Sequence, residues 1–289
     1  MDLSIFGGTG FIGSTYIDRW KTHDDINVRP RYSRRPDPYK KTDILYLIST
    51  THNYHVFDDP TLDVRTNLVV LTEALESWKN NNPEGVFNFV SSWFVYGNAF
   101  PNGNDGTYRE GNLCCPQGFY SITKKCAEDL IMSFCATHGL KYRILRLCNI
   151  LGPGDKGVSK QKNALQYLMG EMVAGRPIEI YGKGDFFRTY MDVEDCVEAL
   201  RLVMLDGNLN STYNIGVQPA THFMSAIKYV HDRTDNKSEI RFIEPKAFHK
   251  QVQVVSFKMN CDKLYSLGFQ QKYTTERTLD RILWVDHGK

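Results

Sequence analysis

The sequence predicts an α/β fold: a doubly wound parallel sheet with helices on both faces and a smaller C-terminal α/β lobe. Three observations predict it. Short apolar runs alternate with helical patterns through the first half, a glycine-rich turn joins the first run to the first helix, and the alternation loosens after residue 150. In order, residues 3–6 read as a buried strand and 13–20 as a helix. A second strand is expected at 28–33 and a stronger third at 43–49 (DILYLIS). Leu68, Leu71, Leu75 and Trp78 give helical periodicity to 62–78. Strands are expected at 86–91 (VFNFVS) and 142–148 (YRILRLC), with a helix at 121–137 between them. Beyond 150, loops at 152–160 and 181–188 accompany helical stretches at 163–174, 192–205 and 221–233. A last strand at 239–243 and a short helix at 275–284 follow.

Composition excludes several classes. The 289 residues are 42% hydrophobic, enough to bury a full core. Lys+Arg 35 against Asp+Glu 33 leaves a net charge of +2, which gives no reason to expect a nucleic-acid partner. Seven cysteines, an odd number without CxxC or zinc-type spacing, point to reduced core residues rather than disulfides or a metal site. His52 and His55 lie close together but read as polar loop surface. No run approaches the apolar length of a membrane span. The first strand starts at residue 2, so no signal peptide is expected ahead of it, and a cytoplasmic protein is expected.

Phe6-Gly7-Gly8-Thr9-Gly10-Phe11-Ile12-Gly13 follows a strand and opens a helix. That is the setting of a Rossmann-like dinucleotide loop. Gly7 allows the tight turn, Gly10 the approach of a pyrophosphate, and Gly13 the packing of helix on strand. The free N–H groups and positive end of the helix then face the phosphates. The end of the second strand reads Val28-Arg29-Pro30-Arg31-Tyr32-Ser33-Arg34-Arg35, with no carboxylate before Asp37. Arg31, Arg34 and Arg35 suit a 2′-phosphate, which favours NADP over NAD. About ten residues separate this strand from the third, short of the dozen or more a parallel crossover with a helix needs. The usual helix is therefore expected to be missing.

The candidate chemistry lies in Ser91-Ser92-Trp93-Phe94-Val95-Tyr96-Gly97, directly after the VFNFVS strand, and in Tyr120 and Lys124, one helical turn apart. A strand end in a doubly wound sheet is where ligands bind. Oxidising a carbinol needs a base for the hydroxyl proton, and a tyrosine near its ordinary pKa of about 10 is a poor one. A nearby ammonium and a positive nicotinamide ring would lower that value, with Ser92 holding the same substrate oxygen. Y-x-x-x-K pairs occur by chance, and serines at strand ends often only cap a turn. Both together, in this order after a glycine loop, are informative.

GGTGFIG, SSWFVYG, YSITK, RLCNILGPGD and YGKGDFFRTYMDVED resemble the successive signatures of the extended short-chain dehydrogenase/reductases, specifically the nucleotide-sugar epimerase/dehydratase family. The resemblance runs from Ile5 to Leu267-Gly268-Phe269. It implies a mainly NAD(P)-binding Rossmann-like domain at 1–150 and a mainly nucleotide-sugar-binding lobe at 151–289, some of whose segments return to the sheet. It implies Ser92, Tyr120 and Lys124 as the catalytic set, with Tyr120 and Lys124 also bordering the cofactor. Ser49 and Thr50 would lie where the cofactor runs past the third strand, and Thr66-Asn67-Leu68 near the nicotinamide. Asn149 and Arg188 would contact the diphosphate of a nucleotide-diphosphate sugar, with Trp93 beside Ser92 in the sugar site; Arg146 reads as structural. A homodimer through the helices at 62–78 and 121–137 is also implied.

Three departures qualify the resemblance. The 29–42 region is short and arginine-rich. Trp93-Phe94 stands where related dehydratases carry Asp-Glu and decarboxylases keep a glutamate, which argues against both chemistries unless another carboxylate, such as Glu110, substitutes. Late in the chain, where relatives often place an arginine, Phe248-His249-Lys250-Gln251-Val252 offers Lys250. Epimerisation is the leading expectation and NADPH-dependent reduction of a keto sugar the second. A non-catalytic dinucleotide sensor or scaffold is the alternative of another class. Cys114 and Cys115, just before Tyr120, read as packing residues.

Overall fold

The computed structural model describes residues 1–29, 42–97, 105–234, 238–252 and 256–288. Labelled in chain order, the main elements are β1 (Asp2–Phe6), α1 (Phe11–Trp20), β2 (Asp25–Arg29), β3 (Asp43–Tyr46), α2 (Val70–Asn81), β4 (Val86–Ser92), α3 (Phe119–His138) and β5 (Lys141–Leu147). They continue as α4 (Ala164–Val173), β6 (Ile178–Tyr181), α5 (Val193–Asp206), β7 (Ser211–Ile215), α6 (Phe223–His231), β8 (Ile240–Ile243) and α7 (Thr275–His287).

Six strands form one parallel sheet in the order β7-β5-β4-β3-β1-β2. Side-chain alternation divides it into two apolar layers. Leu3, Leu45 and Leu145 pack with Tyr16 of α1 and Val197, Leu200 and Val203 of α5. Ile44, Tyr46, Phe87 and Ile144 face the other way, onto Leu71, Leu75 and Trp78 of α2 and Ile131 of α3. A separate apolar cluster joins α4, β6, α6 and α7 in the C-terminal half. There β6 and β8 pair in parallel as a two-stranded sheet.

Strand order reverses beside β1. The chain leaves β1 for β2 on one side and returns to β3 on the other, so the crevice between the carboxyl ends of β1 and β3 is the switch point. Residues 30–41, which contain Arg31, Arg34 and Arg35, lie outside the described residues.

Three of the elements that differ from expectation bear on the fold. β2 runs over Asp25–Arg29 rather than starting at 28, because it is an edge strand whose polar Asp25 and Asn27 carry no apolar signal. β7 was not anticipated. Its sequence STYNI looks polar, yet Asn214 is buried and satisfied by Tyr96 Oη (2.6 Å), Tyr108 O (3.2 Å) and Asn260 O (2.9 Å). The helix expected at 62–78 is three pieces: Thr61–Val64, a π-helical turn Arg65–Val69, and α2. The extra residue of the π-turn buries Thr66 and Asn67.

Candidate active site

A cleft of about 890 Å³ opens at the carboxyl ends of β1, β3 and β4. Residues 7–13, Thr9, Phe11 and Ile12 included, line one end of it. Gly7 has φ +88° and sits against the Leu47 backbone. At Gly13 a Cβ would fall 2.4 Å from Gly7 O and 2.8 Å from Gly8 Cα, so only glycine lets α1 approach β1 this closely. The first turn of α1 carries no acidic residue, and its leading N–H groups have no acceptor within the helix. This cradle fits a dinucleotide pyrophosphate. Arg29, at the end of β2, also lines the cleft, and no carboxylate stands at that strand end among the described residues.

β4 delivers Ser92, and α3 delivers Tyr120 and Lys124 to the same wall. Gly118 starts α3 in an extended conformation, and Ser121 Oγ accepts from Gly118 N at 2.9 Å, so the helix begins two residues earlier than periodicity indicated. Tyr120 is 7% exposed and Lys124 3%. Burial pushes the Tyr120 phenol up to about 12, against the pull of hydrogen bonding from Ser92; the charge of Asp63 adds to the rise, and Ser49 opposes it. The expected lowering by Lys124 is therefore corrected: in the ligand-free protein Lys124 is not among the groups that move the phenol, and burial dominates. Lys124 Nζ donates to Val90 O at 2.7 Å and lies 4.6 Å from the Phe89 ring centre.

Burial also pulls Lys124 down to about 7 from its ordinary 10.5, with Glu128 opposing. Between those two values the unfolded chain binds the proton and the folded chain does not, so stability rises with pH across that window. Thermal melts of the ligand-free protein and of Lys124→Met should therefore diverge, the native chain gaining relative to the variant from about pH 7 to about pH 10. A constant difference would show that Lys124 stays charged when folded.

The end of β3 is locked to α3 through the π-turn. Asn67 Oδ1 accepts from Thr50 N (2.9 Å) and Ser49 Oγ (3.0 Å), and Asn67 Nδ2 donates to Thr50 Oγ1 (2.8 Å) and Thr123 Oγ1 (2.9 Å). Ser49 and Thr50 both line the cleft, in front of this network.

Toward the other end, Trp93 stacks on Phe94 at 4.0 Å and on Phe257 at 4.5 Å between ring centres. The Arg188 guanidinium lies between Trp93 (4.9 Å) and Phe186 (4.7 Å), bonded to Phe187 O at 3.1 Å. Burial lowers its pKa to about 10, still a cation at neutral pH. Asn149 lines the cleft beside it, with Nδ2 held by Thr189 O at 3.1 Å. Glu128 binds Arg146 at 2.7 and 3.0 Å, so Arg146 is a buried structural ion pair.

Several expectations are corrected. Lys250 does not line the cleft; it is exposed and pairs with Glu244 at 3.3 Å, while its neighbour His249 turns inward to Tyr181 Oη at 3.0 Å. Glu110 accepts from Asn214 N at 3.0 Å, away from the cleft, and cannot replace an acid beside Trp93. The only described carboxylates in the lining, Glu171 and Glu179, belong to the far wall of α4 and β6. Sequence reasoning missed that wall, including Lys160, Lys162, Tyr167 and Arg241. Cys114 and Cys115 lie outside the lining. His52 and His55 stack at 4.0 Å, and burial, with His55 adding, lowers His52 to about 4. No group of metal-binding residues is found among the described residues.

A family model described as the NAD dependent epimerase/dehydratase family matches residues 3–216, well over half the chain. The chain belongs to that family. As an extended short-chain dehydrogenase/reductase, it is 24% identical to dTDP-glucose 4,6-dehydratase of Salmonella typhimurium, covering 92% of this chain and 85% of that protein. UDP-glucose 4-epimerase of Thermotoga maritima, solved with UDP-glucose, superposes with a TM-score of 0.84 at 22% identity, covering 100% and 99% of the two chains. RMD from Pseudomonas aeruginosa, complexed with NADPH, gives 0.82 at 22% identity over 98% and 97%. At these identities the two structures establish the fold of this family member. No helix among its described residues is long and apolar enough to cross a membrane.

Proposed function

We propose that this family member is a nucleotide-sugar epimerase that works by reversible hydride transfer at a sugar carbinol. The observation that carries the reading is that Ser92, Tyr120 and Lys124 share one cleft with the glycine cradle and with a buried arginine. Ser92 orients the reacting hydroxyl, and Tyr120 takes its proton as the C–H hydride leaves. A bound nicotinamide dinucleotide supplies the hydride acceptor and donor. Tyr120 then returns its proton to the carbonyl oxygen when the carbon is reduced on the other face, so protons and electrons balance over the cycle. Arg188, with Asn149, holds the diphosphate of the substrate, as a planar guanidinium does well.

Trp93 and Phe94 set the chemistry apart from that of dehydratase relatives. Expelling water needs a proton donor and a base near the leaving group, and two aromatic rings supply neither. The sugar oxidised here is reduced again without elimination. A second reading, NADPH-dependent reduction of a keto sugar, is favoured by the phenol being held in its acid form. Incubating the protein with a panel of nucleotide sugars and with NAD or NADP separately, followed by NMR of the sugar, distinguishes them. Epimerisation without net cofactor consumption supports the first, and stoichiometric NADPH oxidation the second. No change in any sugar would leave a non-catalytic dinucleotide-binding protein.

The cofactor proposed is NADP, on Arg29 at the cleft edge and on Arg31, Arg34 and Arg35 in sequence beyond it. Replacing Arg34 and Arg35 by alanine should weaken NADPH binding by about tenfold or more, in the range of a lost charge-assisted hydrogen bond, with NADH barely affected. Fluorescence titration measures both, and an equal loss for the two would refute the assignment.

A homodimer is proposed through the outer faces of α3 and the π-turn region. Val64, Val69, Ile122 and Leu130 are exposed there. Sedimentation of the native chain should give a dimer that Ile122→Glu converts to monomer; a native monomer would dismiss it.

A further inference from the structure

One face of α3 is fastened to the end of β4. Tyr120, Lys124 and Glu128 follow one another at intervals of four residues, about one turn each, so they share a face of the helix. Tyr120 stands beside Ser92 in the cleft wall, Lys124 Nζ donates to Val90 O at 2.7 Å, and Glu128 Oε1 accepts from Ser91 Oγ at 2.6 Å. Consecutive residues of the strand are thus matched by consecutive turns of the helix. Side chains on a helix lean toward its N-terminus, and this lean carries the Glu128 carboxylate back toward the cleft.

Glu128 is itself clamped. Ser91 and Arg146 are paired neighbours in the parallel register of β4 and β5, and both bind it. Arg146 Nε meets Oε1 at 3.0 Å and Nη2 meets Oε2 at 2.7 Å, a planar fork that fixes where the carboxylate lies. The rest of the guanidinium is engaged too: Nη1 donates to Glu110 O at 3.1 Å, and its carbon lies 4.8 Å from the Tyr96 ring centre. Ser91, Glu128 and Arg146 are all buried, and neither Glu128 nor Arg146 lines the cleft. The residues that follow the clamp do line it: Ser92 comes straight after Ser91, and Leu147 and Asn149 come just after Arg146. Successive strand side chains point to opposite faces, so Ser91 holds α3 while Ser92 is left to face the cleft.

We infer that Ser91 and Glu128 are positioning residues that set the approach of Tyr120 to Ser92, by fastening this face of α3 to the ends of β4 and β5 in one register. This rests on the reading of Ser92 and Tyr120 as the reacting pair and adds what holds them in place. Ser92 enters the cleft from a strand and Tyr120 from a helix, so their separation is set by how the helix seats on the sheet. A buried ion pair adds little net stability, but its directional contacts select one seating over others. That selection matters because a shift of about 1 Å between reacting groups costs about a hundredfold in rate. Ser91 is the link best suited to testing, because without its hydroxyl the carboxylate stays paired with Arg146 and no buried charge is left alone.

Ser91→Ala should lower kcat for a nucleotide sugar by about tenfold and leave KM unchanged, because the bond orients the reacting groups and touches neither ligand. Dissociation constants for NADP and for uridine diphosphate should stay at their native values. Ser91→Thr keeps the hydroxyl and should keep the native kcat. In a Tyr120→Phe background Ser91→Ala should cost less than about twofold, since the group it positions has already lost its reacting atom. Loosened packing would cost the same factor in both backgrounds. A native kcat in Ser91→Ala, an equal loss in both backgrounds, or a Ser91→Thr as slow as Ser91→Ala overturns the proposal. If Tyr120→Phe converts nucleotide sugars as fast as the native chain, the catalytic reading falls instead. A native chain that converts none removes that reading and, with it, the pair to be positioned.

Discussion

Tyr120→Phe should lower kcat for a nucleotide sugar by about 10³-fold, near 4 kcal/mol of transition-state stabilisation. The phenol oxygen is the only atom in the variant that changes. The ring keeps its edge contact with Phe94, at 6.0 Å between centres, and α3 keeps its cap. What disappears is the phenol beside Ser92 that is proposed to accept the carbinol proton and give it back. Ser92 has its own oxygen engaged by Phe94 N at 3.3 Å and is far too weak an acid and base to replace the phenol. Steady-state kinetics on the substrate found by the NMR panel would measure the loss. It should fall on kcat and kcat/KM together, since the proton moves only in the transition state. A variant with native kcat would remove Tyr120 from the mechanism and leave Ser92 and Lys124 without a partner.

Arg188→Met should raise the dissociation constant for a nucleoside diphosphate, and KM for the sugar nucleotide, by about a hundredfold, the scale of losing a desolvated charge contact. Arg188 is buried between Trp93 and Phe186, so little of its charge is neutralised by bulk water. The same burial that lowers its pKa makes its attraction for a diphosphate strong. Methionine fills the slot between the rings and keeps the packing, so a loss of affinity with an unchanged melting temperature isolates the charge. Calorimetric titration with uridine and thymidine diphosphates reads this directly. Unaltered affinity would place the diphosphate elsewhere, for which Lys160, Lys162 and Arg241 on the far wall are the cations available.

Much of the fold and site was legible because the signals are local. The glycine loop needs a strand before it and a helix after it, and both are written within the first twenty residues. Tyr120 and Lys124 face one way because four residues make about one helical turn. Elements buried on both sides, such as β3 with its Ile44-Leu45-Tyr46 continuing into Leu47-Ile48, announce themselves by unbroken apolar runs. β2 and β7 hid because edge strands, and strands whose polar groups are satisfied from other parts of the chain, lack that run. Lys250 misled because sequence position does not say which side of a short helix faces the cleft.

By itself, the sequence determined the parallel α/β architecture, the dinucleotide cradle and the identity of the three residues proposed for hydride transfer, all set by spacings of one turn or one strand. Only the tertiary structure decided the state of those residues. Tyr120 is pushed toward its acid form by burial, a property of everything packed around it. Asp63 is the clearest case. In sequence it is one aspartate among Asp58, Asp59 and its polar neighbours, indistinguishable from a solvated helix residue. The π-turn brings Asn67 against Ser49 and Thr50, and Thr50 in turn meets that carboxylate, through contacts 13 to 18 residues apart along the chain. Hydrogen-bond direction and dielectric depend on the full set of neighbours, and no local pattern encodes them.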